Sequence, residues 1–131
     1  MGNSTFTRWS TALAVSAAAV LLIGPQAQAE TVEVTGRSGG PQSTECGYIS
    51  QSPNHTVQVT DDVASLDIRV TSSGHYSLLI QGDDGFSECV MAHTYDGGAI
   101  QSIGAVTQGT YRIYVGDFDG ASHPFTLTID Q

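Results

Sequence analysis

From residue 55 onward, apolar side chains recur at every second position in short bursts. Val57 and Val59; Leu66, Ile68 and Val70; Tyr76, Leu78 and Ile80; Tyr111, Ile113 and Val115; and Phe125, Leu127 and Ile129 form five such sets. A period of two puts each set on one face of a pleated strand. The opposite faces carry Gln58 and Thr60, Asp67 and Arg69, and Thr126 and Thr128, the polar complement of a solvated sheet surface. Between the sets lie Pro53-Asn54, Asp61-Asp62, Ser72-Ser73-Gly74, Gly82-Asp83-Asp84-Gly85, Asp96-Gly97-Gly98 and Gly116 to Gly120, which read as turns. Short strands at roughly ten-residue spacing, with no helical stripe among them, predict an all-β, antiparallel β-sandwich in a single domain.

The stretch before residue 55 is organised differently. Glu30 to Gly36 alternates as a short strand would, and Arg37 to Ser43 is a Gly/Ser/Pro-rich loop or tether, so the compact domain is expected to begin near Cys46. Ahead of these, Arg8 supplies a positive charge, Thr11 to Ile23 form an apolar run, and Gln26-Ala27-Gln28-Ala29 ends in an A-x-A pattern. Those are the three parts of a secretory signal peptide. The run falls short of the ~20 apolar residues that cross a bilayer and is broken by Gly24-Pro25. The expected organisation is therefore a leader at 1–29, an N-terminal strand and flexible segment at 30–45, and the sandwich at 46–131. The expected location is secreted or periplasmic, with no membrane span after cleavage.

Charge narrows the partners. The whole chain has a formal net charge of -9, and loss of the leader leaves Arg37, Arg69 and Arg112 as the fixed cations, with no lysine. Binding to a phosphate backbone depends on Lys and Arg, so nucleic acid and anionic lipid are poor partners. Cys46 and Cys89 are the two cysteines, and in an exported protein an even count reads as a disulfide, with two buried free thiols as the alternative. Closing so long a loop would stabilise the fold by roughly 4 kcal/mol on the chain-entropy model.

Several of these segments together resemble the bacterial pre-peptidase C-terminal domain family. The likeness runs from Cys46-Gly47-Tyr48-Ile49 through Leu66-Asp67-Ile68-Arg69-Val70, Ser77-Leu78-Leu79-Ile80 and Cys89 to Phe125-Thr126-Leu127-Thr128-Ile129. Its most specific element is Gly109-Thr110-Tyr111-Arg112-Ile113-Tyr114-Val115-Gly116. The resemblance implies a jelly-roll-like β-sandwich, non-catalytic and appended to exported enzymes, which in some members binds calcium or a polymer. Acidic residues that calcium-binding members carry are replaced here by His75-Tyr76-Ser77 and Val90-Met91-Ala92. No catalytic domain accompanies the sandwich in this chain.

Chemistry then rests on a few constellations. Asp83, Asp84, Asp96, Asp117 and Asp119 lie in Asp/Gly turns and are the candidate calcium ligands, since calcium takes six to eight oxygens. None fits the EF-hand spacing, and Asp with Gly is also the ordinary composition of a tight turn. Gly85-Phe86-Ser87-Glu88-Cys89 is not a G-x-S-x-G elbow, and His55, His75, His93 and His123 are scattered, so no catalytic residue is assigned. Phe86, Tyr95, Tyr114 and Phe118 are the aromatics placed to meet a ligand. The expectation is a non-enzymatic extracellular module binding a protein or polymeric ligand, calcium-assisted at the Asp/Gly turns. Two alternatives stand beside it: an inhibitor or immunity-type protein of an exported enzyme, and a self-associating filament subunit.

Overall fold

The computed structural model describes residues 31–92 and 99–131. Among these are eight strands: β1 (Thr31–Arg37), β2 (Gln42–Thr44), β3 (Gly47–Ile49), β4 (His55–Thr71), β5 (Tyr76–Gln81), β6 (Ser87–Met91), β7 (Ile100–Asp117) and β8 (Pro124–Asp130). Every strand pairing is antiparallel, and no helix occurs among the described residues. The fold class read from the alternation is the one observed.

Two long strands carry the architecture. β4 and β7 pair along their length, from His55↔Ile113 to Val70↔Ile100, and both bend where β4 advances from Val59 to Val63 while β7 advances only from Gly109 to Thr107. Extra residues on one strand form a bulge, which bends the strand and sharpens its twist. Opposite the bulge, Gly109 adopts a positive φ of 151° that a side chain would resist. Asp61-Asp62, expected as a turn between strands, is this bulge inside one continuous strand.

The bend lets the same pair of strands serve two layers. In the first, β6 pairs with β5, β5 with the last residues of β7, and β7 with the first half of β4. In the second, the first half of β7 pairs with the second half of β4, then β8, then β1. Side chains from both meet in one core of Val57, Val59, Leu66, Ile68, Val70, Tyr76, Leu78, Ile80, Ile100, Tyr111, Ile113, Val115, Phe125, Leu127 and Ile129. Its members are the five alternating sets, joined by Ile100.

A second, smaller core covers the outer face of β5 and β7. Cys46, Ile49, Leu79 and Tyr114 pack there, so β5 is buried on both faces from Tyr76 to Ile80. Cys46 and Cys89 form a disulfide, with Cα atoms 5.7 Å apart, that ties this cover to β6. The Ser77 hydroxyl donates to the Cys46 carbonyl at 2.6 Å, and a Cβ at Gly116 would lie 2.7 Å from that hydroxyl oxygen, so glycine sets how closely the cover approaches β7.

The N-terminal segment differs from its expected role as a strand and tether outside the domain. β1 pairs with β8 through seven successive residue pairs, from Thr31↔Asp130 to Arg37↔Pro124. Ser38 is buried: its N–H donates to the His123 carbonyl, and its hydroxyl accepts from the His123 N–H. Residues 31–45 therefore belong to the sandwich. The expected leader at 1–29 lies outside the described residues.

Candidate functional site

The acidic turns sit at opposite ends of β5. Asp117 pairs with Tyr76 where β5 begins, whereas Asp83 and Asp84 follow Gln81 where it ends. The six residues between span roughly 20 Å at the rise of a strand. Asp83 and Asp84 therefore do not converge with Asp117 and Asp119, and Asp96 lies outside the described residues. Among the described residues no three His, Cys, Asp or Glu side chains come together as metal ligands. The calcium set drawn from composition does not come together among the described residues: Asp83 and Asp84 lie at one end of β5, and Asp117 and Asp119 at the other.

At the β7–β8 end the carboxylate is structural. Asp117 is fully buried, and its Oδ1 accepts from the N–H groups of Asp119 at 2.8 Å and Ala121 at 3.0 Å. This is an Asx-type turn, in which an Asp side chain replaces a backbone acceptor. The turn packs against the segment after β1, where Gly39 donates to the Val115 carbonyl and approaches the Ala121 carbonyl too closely to carry a side chain. Asp117 Oδ2 and His123 Nδ1 are buried, make no hydrogen bond, and face each other at 3.4 Å. Phe118 stacks on His75, ring centroids 4.8 Å apart, and Tyr114 is sealed in the smaller core. These two aromatics are thus occupied with packing, and Tyr95 lies outside the described residues.

At the β5–β6 end the arrangement is open. Asp83 Oδ2 accepts from the Thr110 N–H at 3.1 Å, and Oδ1 pairs with the Arg112 guanidinium at 3.3 Å. The Thr110 N–H first, and the guanidinium second, hold the Asp83 carboxyl below the usual carboxylate range. Arg112 also donates to the Gly82 carbonyl, which fixes the turn to β7. Phe86, 44% exposed, stands beside this anchored turn, edge-on to Tyr111 at 6.0 Å and 81°.

Phe86 divides a cleft between the two layers. One hollow of about 170 Å³ lies against Gly82, Asp83, Asp84 and residues 105–109 of β7. A second of about 170 Å³ is floored by Leu66, Ile68 and Ile80 and bounded by Glu88 and residues 102–106 of β7. Both share Phe86, Ala105 and Val106. Across the mouth, the Ser102 hydroxyl donates to Glu88 Oε1 at 2.8 Å. A Cβ placed on Gly104 would meet nothing within 4 Å, so the cleft lies open over this residue. Of the described aromatics expected to meet a ligand, Phe86 is the one found at this cleft. The first half of β7, which forms one wall, carries no regular alternation and was not legible as a strand.

By fold and site the molecule is a disulfide-bonded, all-β antiparallel sandwich with a lateral cleft. No family model matches the chain, and no solved structure matches it. An uncharacterized protein of Synechococcus elongatus is 37% identical over 106 residues, covering 78% of this chain and 77% of its own length. The chain belongs to the same family as that protein.

Proposed function

We propose that this protein is a secreted, non-catalytic module that binds a protein or polymeric ligand in the lateral cleft. The observation carrying this reading is the pair of adjoining hollows with apolar floors and acidic rims, in a molecule whose other apolar side chains mostly pack into its two cores. Size supports a large ligand held by its side groups. Each hollow, at about 170 Å³, is close to the roughly 150 Å³ cavity that accepts one benzene and well below the roughly 300–1,000 Å³ of small-molecule sites.

Chemistry supports binding over catalysis. Among the described residues neither hollow is lined by histidine or cysteine, and the Ser102 hydroxyl there is committed to Glu88. The leader-like N-terminal sequence and the disulfide support export to an oxidising compartment. The resemblance to the pre-peptidase C-terminal family is in keeping with a binding module. This reading calls on no calcium, because Asp83 and Asp84 lie at the opposite end of β5 from Asp117 and Asp119.

Gly104 supplies the test. Its φ lies outside the left-handed region and a Cβ there meets nothing within 4 Å, so Gly104→Trp introduces a bulky side chain at the cleft wall without a clash at its Cβ. Displayed random peptides and an oligosaccharide array would be screened on the immobilised wild-type protein and on this variant. Ligands held by the wild type are expected to bind Gly104→Trp at least tenfold more weakly at an unchanged melting temperature. Equal retention by both proteins would remove the cleft from function.

A further inference from the structure

Two strand edges border the cleft. Among the described residues, β6 pairs with β5 alone, and β7 from Ile100 to Thr107 pairs with β4 alone. An unpaired edge offers a row of N–H and C=O groups to any extended chain. Proteins ordinarily blunt such edges with charge or proline. β1, the edge at the far side of the sheet, carries Glu33 and Arg37. The β7 edge carries no such guard of its own: Gln101 to Thr107 contains no charged residue and no proline, exposes Ile103 at 63%, and has no side chain at Gly104; Glu88 of β6 reaches it at Ser102, whose hydroxyl donates to that carboxylate.

The cleft beside that edge suits a peptide better than a sugar polymer. Its hollows are side-chain-sized and follow one another along β7, the first against residues 102–106 and the next against 105–109. An added strand sends alternate side chains to one face, and specificity in such complexes comes from pockets for those alternate residues. Phe86 and Tyr111 meet edge-on, which leaves a wedge where a sugar ring would need a flat platform. The charged residues lining the hollows are Asp83, Asp84 and Glu88, all acidic, and Asp83 is already paired with Arg112. Asp84 remains to meet a cation, and so does Glu88, whose Oε1 also accepts from the Ser102 hydroxyl.

From these observations, and resting on the cleft as the binding site, we infer that the ligand is an extended peptide segment that adds as a strand to the free edge of β7. Two apolar side chains at alternate positions fill the hollows on either side of Phe86. Lysine or arginine flanking them lies over Asp84 and Glu88. The backbone supplies affinity, and the hollows with the acidic rim supply selectivity.

The test uses the synthetic peptide Lys-Thr-Val-Thr-Val-Thr-Lys and three relatives: one with glutamate at both ends, one with serine for valine, and one N-methylated at alternate residues. Each is titrated into the labelled protein, and amide shifts are followed. The parent peptide is expected to move amides of 82–88 and 102–109, with each relative at least tenfold weaker and Gly104→Trp unresponsive. Equal binding of the N-methylated peptide would overturn strand addition, and equal binding of the glutamate form would overturn the basic ligand. Shifts elsewhere, or unchanged by Gly104→Trp, would overturn the location. If cellohexaose or chitohexaose moves the cleft amides and no peptide does, the peptide inference falls while the cleft reading stands. If none of these probes moves them, the peptide inference falls, and the library and array screen decides the cleft reading separately.

Discussion

Two acidic turns with nearly the same composition meet opposite fates in this molecule. Asp83-Asp84-Gly85 and Asp117-Phe118-Asp119-Gly120 each end in a glycine at positive φ, 82° at Gly85 and 75° at Gly120. The segment after β1 packs over the second turn, so Asp117 is buried and serves as an internal acceptor for two backbone N–H groups. No described segment covers the first turn, and its acidic side chains border a cleft. Composition determines that both are turns. What packs over each decides which is structural and which is free to meet a ligand.

The largest expected effect tests the closed end. Asp117→Ala leaves the Asp119 and Ala121 N–H groups without their acceptor, and a buried donor left unsatisfied costs roughly 1–3 kcal/mol. A loss of about 2 kcal/mol is expected in urea unfolding, allowing for the partial solvation of those amides. Asp117→Asn keeps an acceptor oxygen at Oδ1 and is expected to recover most of that loss, which separates an acceptor's role from that of a charge.

A smaller effect is expected at the open end. Because the folded Asp83 carboxyl is held below the usual range, its stabilising contribution is present above the ordinary carboxylate value of about 3.9 and disappears as pH falls through the lowered folded value. Asp83→Asn should therefore lower the melting temperature modestly at neutral pH, with the two curves meeting in strong acid. A difference that grows on acidification would contradict the pairing with Thr110 and Arg112. Smallest of all is the expected stability change from Gly104→Trp, because the Cβ it adds meets nothing within 4 Å.

The sequence made the packed core legible and obscured the cleft, for one physical reason. Alternation appears where one face of a strand is sealed against apolar neighbours. Val57, Ile68, Tyr111 and Leu127 sit on such faces and were readable as core. Along the first half of β7, the residues in line with Ile100 are Ser102, Gly104 and Val106, while Ile103 on the opposite face is exposed. No binary pattern results, because these positions face a cleft and an open edge. The bulge at Asp61-Asp62 resembles a turn in the sequence for a related reason: two acidic residues interrupt the pattern, yet pairing resumes at Val63↔Thr107. The integration of β1 was hidden by the Gly/Ser-rich stretch that follows it, whose glycines and Ser38 serve close packing rather than flexibility.

Residue-resolved hydrogen exchange on the free protein tests the contrast between the two ends most directly. The amides of Asp119 and Ala121, bonded to a buried carboxylate, are expected to exchange slowly, close to the rate of the sandwich as a whole. The amides of Ser102 to Val106 that point away from β4 are expected to exchange fast, since no described strand pairs with them. Fast exchange at Asp119 and Ala121 together with protection along the outer edge of β7 would contradict the assignment of a closed structural end and an open binding edge.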